Sequence, residues 1–275
     1  MTVGRSNRNE LLFGRDGQSA IARTGIAIVG LGGVGSHLAQ QLAYLGVERY
    51  VLIDDDIVTR SSLNRLIGAT PMDADEHVLK VAVAKRMILQ TRPESAVKVF
   101  PETVDIERTG ALIKDVDVVF GCVDNERGRL ELTELAMSRG ITYFDLATDI
   151  NPDVPMFGGR IFVAMPGVRC LSCASGLDQA ELRLSSMSPE HRLVHDKTYG
   201  IPRQDLGGGP SVVSINGAVA SLAVTEFMAW VTDLREPVEQ LYYYGHSAVL
   251  RRRVDEVAPS CPYCRPTTDA SAAAS

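Results

Sequence analysis

Two groups of residues in this chain have types and spacings suited to chemistry. The first is Gly30-Leu31-Gly32-Gly33-Val34-Gly35, followed by Asp54 and Asp56 and then by Asn64 and Arg65. Glycines let a backbone turn sharply and approach a phosphate with no side chain in between. Asp54 stands about 20 residues beyond the turn, where an acid meets ribose hydroxyls in nucleotide-binding folds. Asn64 and Arg65 add an amide and a cation beside the expected phosphates. The second group is Cys170-Leu171-Ser172-Cys173 with Cys261-Pro262-Tyr263-Cys264. Each Cys-x-x-Cys turn directs two thiolates at one point, and two such turns complete a tetrahedral Zn²⁺ site. Four thiolates leave no coordination position for water, so the expected site is structural. Paired spacing of this kind argues for metal rather than disulfides.

The elements that must position the first group are legible around it. Ile26 to Val29 is an apolar run that ends in the glycine turn, and Leu38, Leu42 and Leu45 then recur at helical spacing until Gly46. A second apolar run, Tyr50 to Ile53, ends in Asp54-Asp55-Asp56. The order is strand, turn, helix, strand, acid, and the free N–H groups at the helix start face the anion. Glycine turns also serve tight packing of helix on strand, and a nicotinamide enzyme would carry the same elements. Asn64 and Arg65 favour another nucleotide.

Further strands are expected at 97–100, 116–120 and 141–145, with helices at 77–90, 106–113 and 126–137 and a loop over 66–76. Ligands in open parallel sheets bind beyond the carboxyl ends of strands, and Asp124 and Asn125 follow the fourth strand there. Asp124 also suits the N-cap of the next helix. Residues 158–164 alternate in polarity, 211–234 form a long helix of small and apolar residues, and 241–244 with 248–254 make a closing antiparallel hairpin. The predicted fold is α/β: a doubly wound, Rossmann-like, mainly parallel sheet extended by antiparallel strands, with a structural tetracysteine zinc site.

The net charge of −6 over 275 residues excludes a general nucleic-acid surface. The apolar stretch 212–231 is long enough for a bilayer, but Ser214, Asn216, Thr225 and Glu226 within it point to a buried helix and no membrane. The polar N-terminus has no signal-peptide core, so the cytoplasm is the expected location. The expected division is a polar N-terminal arm over 1–24, a catalytic domain over 25–265 with a crossing loop at 174–210, and a disordered tail over 266–275. His191 and His195 lie one helical turn apart, but with no third ligand evident a metal role is not assigned to them.

In the glycine turn, Ser62-Leu63-Asn64-Arg65 and Asp124-Asn125, the chain resembles the ThiF/MoeB/HesA adenylyltransferase family, which includes the adenylation domains of ubiquitin-activating enzymes. The family motif is usually Asn-Leu-Asn-Arg, and Ser62 replaces its first Asn. The resemblance covers roughly residues 5–265 and implies ATP at Gly30, Gly32, Gly33, Gly35, Asp54, Asp56, Asn64, Arg65, Lys80, Asp124 and Asn125. It implies catalysis by Asp124, which holds Mg²⁺, with Arg65, Lys80 and an Arg8 reaching across a homodimer. Lys80, rather than Lys85, matches the family's ATP-contacting lysine. The cargo implied is a ubiquitin-like or sulfur-carrier protein ending in Gly-Gly, activated as an acyl-adenylate. Residues 174–210 hold no cysteine and Cys122 is expected to be buried. No covalent enzyme intermediate is therefore expected, and a separate sulfurtransferase or conjugating protein takes the product. Activation of a tRNA base or a peptide, a nicotinamide oxidoreductase and a non-catalytic scaffold are the alternative readings.

Overall fold

A computed structural model describes residues 4–151, 153–174, 176–185, 210–254 and 260–265. Parallel strands buried on both faces need apolar residues at every position, and the sequence supplies them. Strands β1 (Gly25–Val29), β2 (Arg49–Ile53), β3 (Ala96–Phe100) and β4 (Val118–Gly121) pair in parallel. β5 (Thr142–Asn151) joins β4 in parallel. β6 (Met156–Ala164), β7 (Gln240–Tyr244) and β8 (Val249–Arg252) then extend the sheet antiparallel. The eight strands run in the order β3-β2-β1-β4-β5-β6-β7-β8. The order reverses at β1 and β4, whose carboxyl ends flank the switch point where ligands bind in such sheets.

Helices cover both faces: α1 (Asn7–Arg23), α2 (Gly33–Leu45), α3 (Pro71–Asp75), α4 (Lys80–Thr91), α5 (Ile106–Leu112), α6 (Glu126–Ser138), α7 (Gln179–Ser185) and α8 (Val213–Val231). One core packs Ile26, Ile28, Phe120 and Phe144 of the sheet against Leu38 and Leu42 of α2, Ile88 of α4 and Val219 and Phe227 of α8. Phe120 stacks at a tilt on Phe144 with ring centroids 5.0 Å apart and meets the edge of Phe227 at 5.6 Å. The other core packs Val29, Val119 and Tyr143 against Leu132 and Leu135 of α6 and against the four paired cysteines. α8 is long and apolar enough to cross a membrane, yet half of it is buried in this fold. Its Glu226, 3% exposed, is held by Arg235 through two contacts of 2.6 and 2.7 Å.

Several local expectations are corrected. The polar arm at 1–24 is largely helix: α1 kinks at Gly14 and buries Gly17, Gln18 and Ile21. The loop at 66–76 contains α3, started by Thr70 and Asp73 in a reciprocal cap with Pro71 at the first helical position. The N-cap of α6 is Asn125, whose Oδ1 accepts from Gly128 N at 2.8 Å, and not Asp124. α4 begins at Lys80 instead of His77, and β5 runs on to Asn151. His191, His195, the glycine run 207–209 and the tail 266–275 lie outside the described residues.

Candidate active site

The carboxyl ends of β1, β2 and β4 surround a cavity of about 620 Å³. Its floor is the glycine turn. Gly30 has φ +88°, a left-handed conformation that disfavours a side chain, and a Cβ there would lie 2.6 Å from the Cys122 carbonyl oxygen. The turn therefore presses directly on the end of β4. Gly32 differs: no atom lies within 4 Å of where its Cβ would be, and it lines the cavity. It is the position where a ligand phosphate can approach bare backbone. Gly33 lines the cavity beside Asn216, whereas Gly35 sits beneath, against the Gly30 carbonyl, and serves packing.

Asp54 closes the turn from the side. Its Oδ2 accepts from Leu31 N at 2.6 Å and its Oδ1 from Asp56 N at 2.9 Å. Burial pushes its carboxyl up from the usual range, opposed by the Lys80 charge and by these two backbone donors. Lys80 stands at the head of α4, its Nζ 2.6 Å from Asp56 Oδ2 and its backbone N 2.9 Å from Asp56 O. This double tie fixes the one long cation that points along the cavity wall from α4. Arg65 lines the same cavity and donates to Ser61 O at 2.6 Å and to Asn64 Oδ1 at 3.1 Å. Ser62 is buried and turns inward to cap the short 3₁₀ turn at Arg60–Ser62, its Oγ accepting from Thr59 N at 3.2 Å.

Opposite the glycines stand Asp124 and Asn125, and both line the cavity. Asp124 is exposed and accepts from Asn125 Nδ2 at 3.3 Å. Its neighbours Cys122 and Val123 complete the turn from β4 to α6. Cys122, expected to be buried, is half-buried just past the end of β4, and desolvation and then the Asp145 charge push its thiol far up, so it is not a thiolate near neutral pH. A second groove of about 570 Å³ runs from Asp124 along β5, β6 and β7 to Phe157, Tyr242 and Tyr244. Asp124, Arg129, Ala147 and Thr148 line both spaces.

Of the residues expected to bind nucleotide, the fold gathers Gly30, Gly32, Gly33, Asp54, Asp56, Arg65, Lys80, Asp124 and Asn125 around one cavity. Asn64 reaches it only through Arg65, Gly35 packs below, and Arg8 lies on α1 outside this cavity's walls. Sequence reasoning missed Thr103 and Asp105, which follow β3, Ser211 and Asn216, which open α8, and the buried Arg129. Asn216, 1% exposed amid an apolar helix, was the readable signal.

The cysteine pairs meet away from the cavity. Cys170 Sγ lies 3.8 Å from Cys173 Sγ and 3.6 Å from Cys261 Sγ, and Cys173 Sγ lies 3.7 Å from Cys264 Sγ. All four sulfurs lie within 4.8 Å of one another. A tetrahedron with metal–sulfur bonds of about 2.3 Å has edges of about 3.8 Å, so the cluster fits a bound metal ion.

A sequence model of the ThiF family matches residues 6–264. The SAMP-activating enzyme E1 of Haloferax volcanii is 26% identical over 254 residues, covering 91% of this chain and 84% of that protein. The sulfur carrier protein ThiS adenylyltransferase of Escherichia coli is 27% identical over 252 residues, covering 90% of this chain and 89% of that one. Among solved structures, E. coli MccB with ATP superposes with a TM-score of 0.73 at 19% identity, over 95% of this chain and 74% of that one.

Proposed function

Because the chain belongs to the ThiF family of adenylyltransferases and activating enzymes, we propose that it adenylates the C-terminal carboxylate of a ubiquitin-like or sulfur-carrier protein with ATP. The observation that carries this reading is the shared wall. The glycine-floored cavity and the long groove meet at Asp124, so a nucleotide in one and an extended tail in the other would touch there. The names of the two relatives above, each aligned over most of its length, support a protein cargo rather than a tRNA base or a nicotinamide substrate.

In this reading a carboxylate oxygen of the cargo attacks the α-phosphorus of ATP. A phosphorus–oxygen bond forms, the bond to pyrophosphate breaks, and pyrophosphate leaves with its electron pair. The barrier is largely crowding of negative charge. Arg65 and Lys80 hold developing charge on the phosphates, and Arg8 of a second copy in a homodimer adds a cation from outside. Gly32, Asp54 and Asn64, the last through Arg65, set the nucleotide's position. The cavity is rich in carboxylates, with Asp54, Asp56, Asp105 and Asp124 on its walls. Such oxygen donors fit Mg²⁺, which Asp124 would hold and which supplies charge neutralisation on the triphosphate. The four cysteines would hold Zn²⁺, which supplies a cross-link between the segment after β6 and the C-terminal segment. The high Cys122 pKa supports transfer without a thioester on this chain, the acyl-adenylate passing to a separate sulfurtransferase or conjugating protein.

Asp124→Ala tests the assignment. We expect turnover to fall by about 10²-fold or more while ATP affinity changes by less than about tenfold. Near-wild-type turnover in that variant would remove Asp124 from its role.

A further inference from the structure

Beneath Asp124 lies a charged cluster that the chemistry above does not use. Arg129, on the first turn of α6, is 6% exposed and yet makes contacts in four directions. Its Nη1 donates to Asp145 Oδ1 at 2.5 Å and to Leu146 O at 3.3 Å. Its Nη2 donates to Val123 O at 2.8 Å, and its Nε lies 3.3 Å from Glu126 Oε1. Asp145 is fully buried and also accepts from Tyr143 Oη at 3.0 Å. The Val123 carbonyl belongs to the peptide unit that carries the Asp124 nitrogen. Arg129 therefore anchors the backbone of Asp124 to the floor of β5.

Glu126 continues the chain outward. It is 8% exposed, and its second oxygen, Oε2, accepts from the backbone N of Asp178 at 2.9 Å. Asp178 in turn starts α7, its Oδ1 accepting from Ala180 N at 2.8 Å and Glu181 N at 3.1 Å. α7 follows the Cys170–Cys173 turn and presents mostly exposed side chains. Leu177, 6% exposed, roots the segment in the core, and the exposed turn beyond it sits in place through a few specific ties that set how often it opens.

We propose that Glu126 and Arg129 are positioning residues that couple the seating of the Asp178 segment, at the side of the cargo groove, to the placement of Asp124. Neither touches the reacting atoms. The path is Asp178 N–H to Glu126, Glu126 to Arg129, and Arg129 to the Val123 carbonyl. A buried ion pair has little tolerance for displacement, because moving one partner leaves the other charge unpaired in a dry site. Motion at Asp178 is therefore transmitted rather than absorbed. A cargo tail that seats the segment would at the same time set Asp124 for reaction. The proposal rests on the nucleotide reading of the cavity, since coupling is reciprocal: if seating the segment favours the Asp124 placement that serves Mg·ATP, then Mg·ATP must favour the seated segment.

That reciprocity allows a test that needs no cargo. Backbone hydrogen exchange over residues 176–182 is measured in the full chain with and without Mg·ATP, for the wild type, Glu126→Ala and Glu126→Gln. Calorimetry on the same samples reports ATP affinity. Glutamine keeps one oxygen acceptor but not the charge, so it can hold the Asp178 N–H or Arg129 and not both, and alanine holds neither. The proposal predicts that Mg·ATP slows exchange about fivefold in the wild type. It predicts that Gln loses part of this protection and that Ala abolishes it, with ATP affinity within about twofold throughout. A merely structural role would lower stability or affinity without erasing the ligand-dependent difference. Bound ATP with no protection in the wild type would overturn the proposal alone, as would full protection in Glu126→Ala. No ATP binding at all would overturn the nucleotide reading and this inference with it. If Glu126→Ala does not fold, Glu126→Gln decides: protection below the wild type supports the coupling, and full wild-type protection overturns it.

Discussion

At the scale of single residues, charges in the cavity are arranged so that ligand binding must exchange one partner for another. Lys80 is held by Asp56 at 2.6 Å and is the first residue of its helix. A triphosphate with Mg²⁺ would compete for that ammonium. Lys80→Met should therefore raise the KM for ATP about tenfold, with a smaller change in thermal stability because Asp56 is left exposed and solvated. An unchanged KM in steady-state assays would place the lysine outside the nucleotide site. Much at this scale was legible from type and spacing: the glycines, Asp54, Arg65 and Asp124 come together as their positions after strands require. Arg129 was not legible, because an arginine on an amphipathic helix reads as solvent-facing. Its burial depends on Asp145 arriving from a strand 16 residues later. The N-cap was misassigned for a smaller reason. Asp124 and Asn125 are adjacent and both cap well, and only the backbone path decides which one does.

Helices and strands followed from periodicity where they are buried, and less well where they are short and polar. α1 reads as an arm because its exposed Leu11 and Leu12 and its charges hide the narrow stripe of Gly17, Gln18 and Ile21 that it buries. α3 is a single capped turn, too short to carry any period. It is fixed by a tie to α4 instead. Asp73 accepts from Arg86 Nη1 and Nη2 at 2.7 Å each and from Thr70 N at 2.7 Å. The Arg86 guanidinium, opposed in part by burial, holds the Asp73 carboxyl far below the usual range. A carboxylate with a depressed folded pKa stabilises the fold above its unfolded value, near 3.8, and that contribution is lost as pH falls below it. Solvent around the half-exposed Arg86 limits the pair to about 1 kcal/mol. Arg86→Met should thus lower the urea midpoint at pH 6, and the gap to wild type should shrink below about pH 4. A gap that stays constant down to pH 3 would show that the pair contributes nothing through charge.

For the whole molecule, the sheet order places the nucleotide cavity at the reversal between β1 and β4 and carries the groove onto the antiparallel strands that follow β5. The cysteine cluster then joins the segment after β6 to residues 261–264 near the far end of the chain, packed on the core beside α6. This clamp was readable because two Cys-x-x-Cys turns have few other uses together. Of the crossing loop expected over 174–210, residues 179–185 form α7, too short and polar a helix to show a period, and 186–209 lie outside the described residues. If the cluster holds zinc, a strong chelator should release one equivalent per chain and lower Tm by several degrees, restored by adding Zn²⁺. Metal analysis showing no bound ion, with Tm indifferent to the chelator, would remove the clamp from the account.

In the proposed reaction the cavity and the groove cooperate in activating a protein carboxylate. ATP–pyrophosphate exchange tests it most directly, run with a panel of small ubiquitin-like and sulfur-carrier proteins ending in Gly-Gly, beside Asp124→Ala. Exchange is expected to depend on one member of the panel, on its terminal carboxylate and on Asp124. Exchange that proceeds equally with no protein added, or that appears only with tRNA or short peptides, would contradict it.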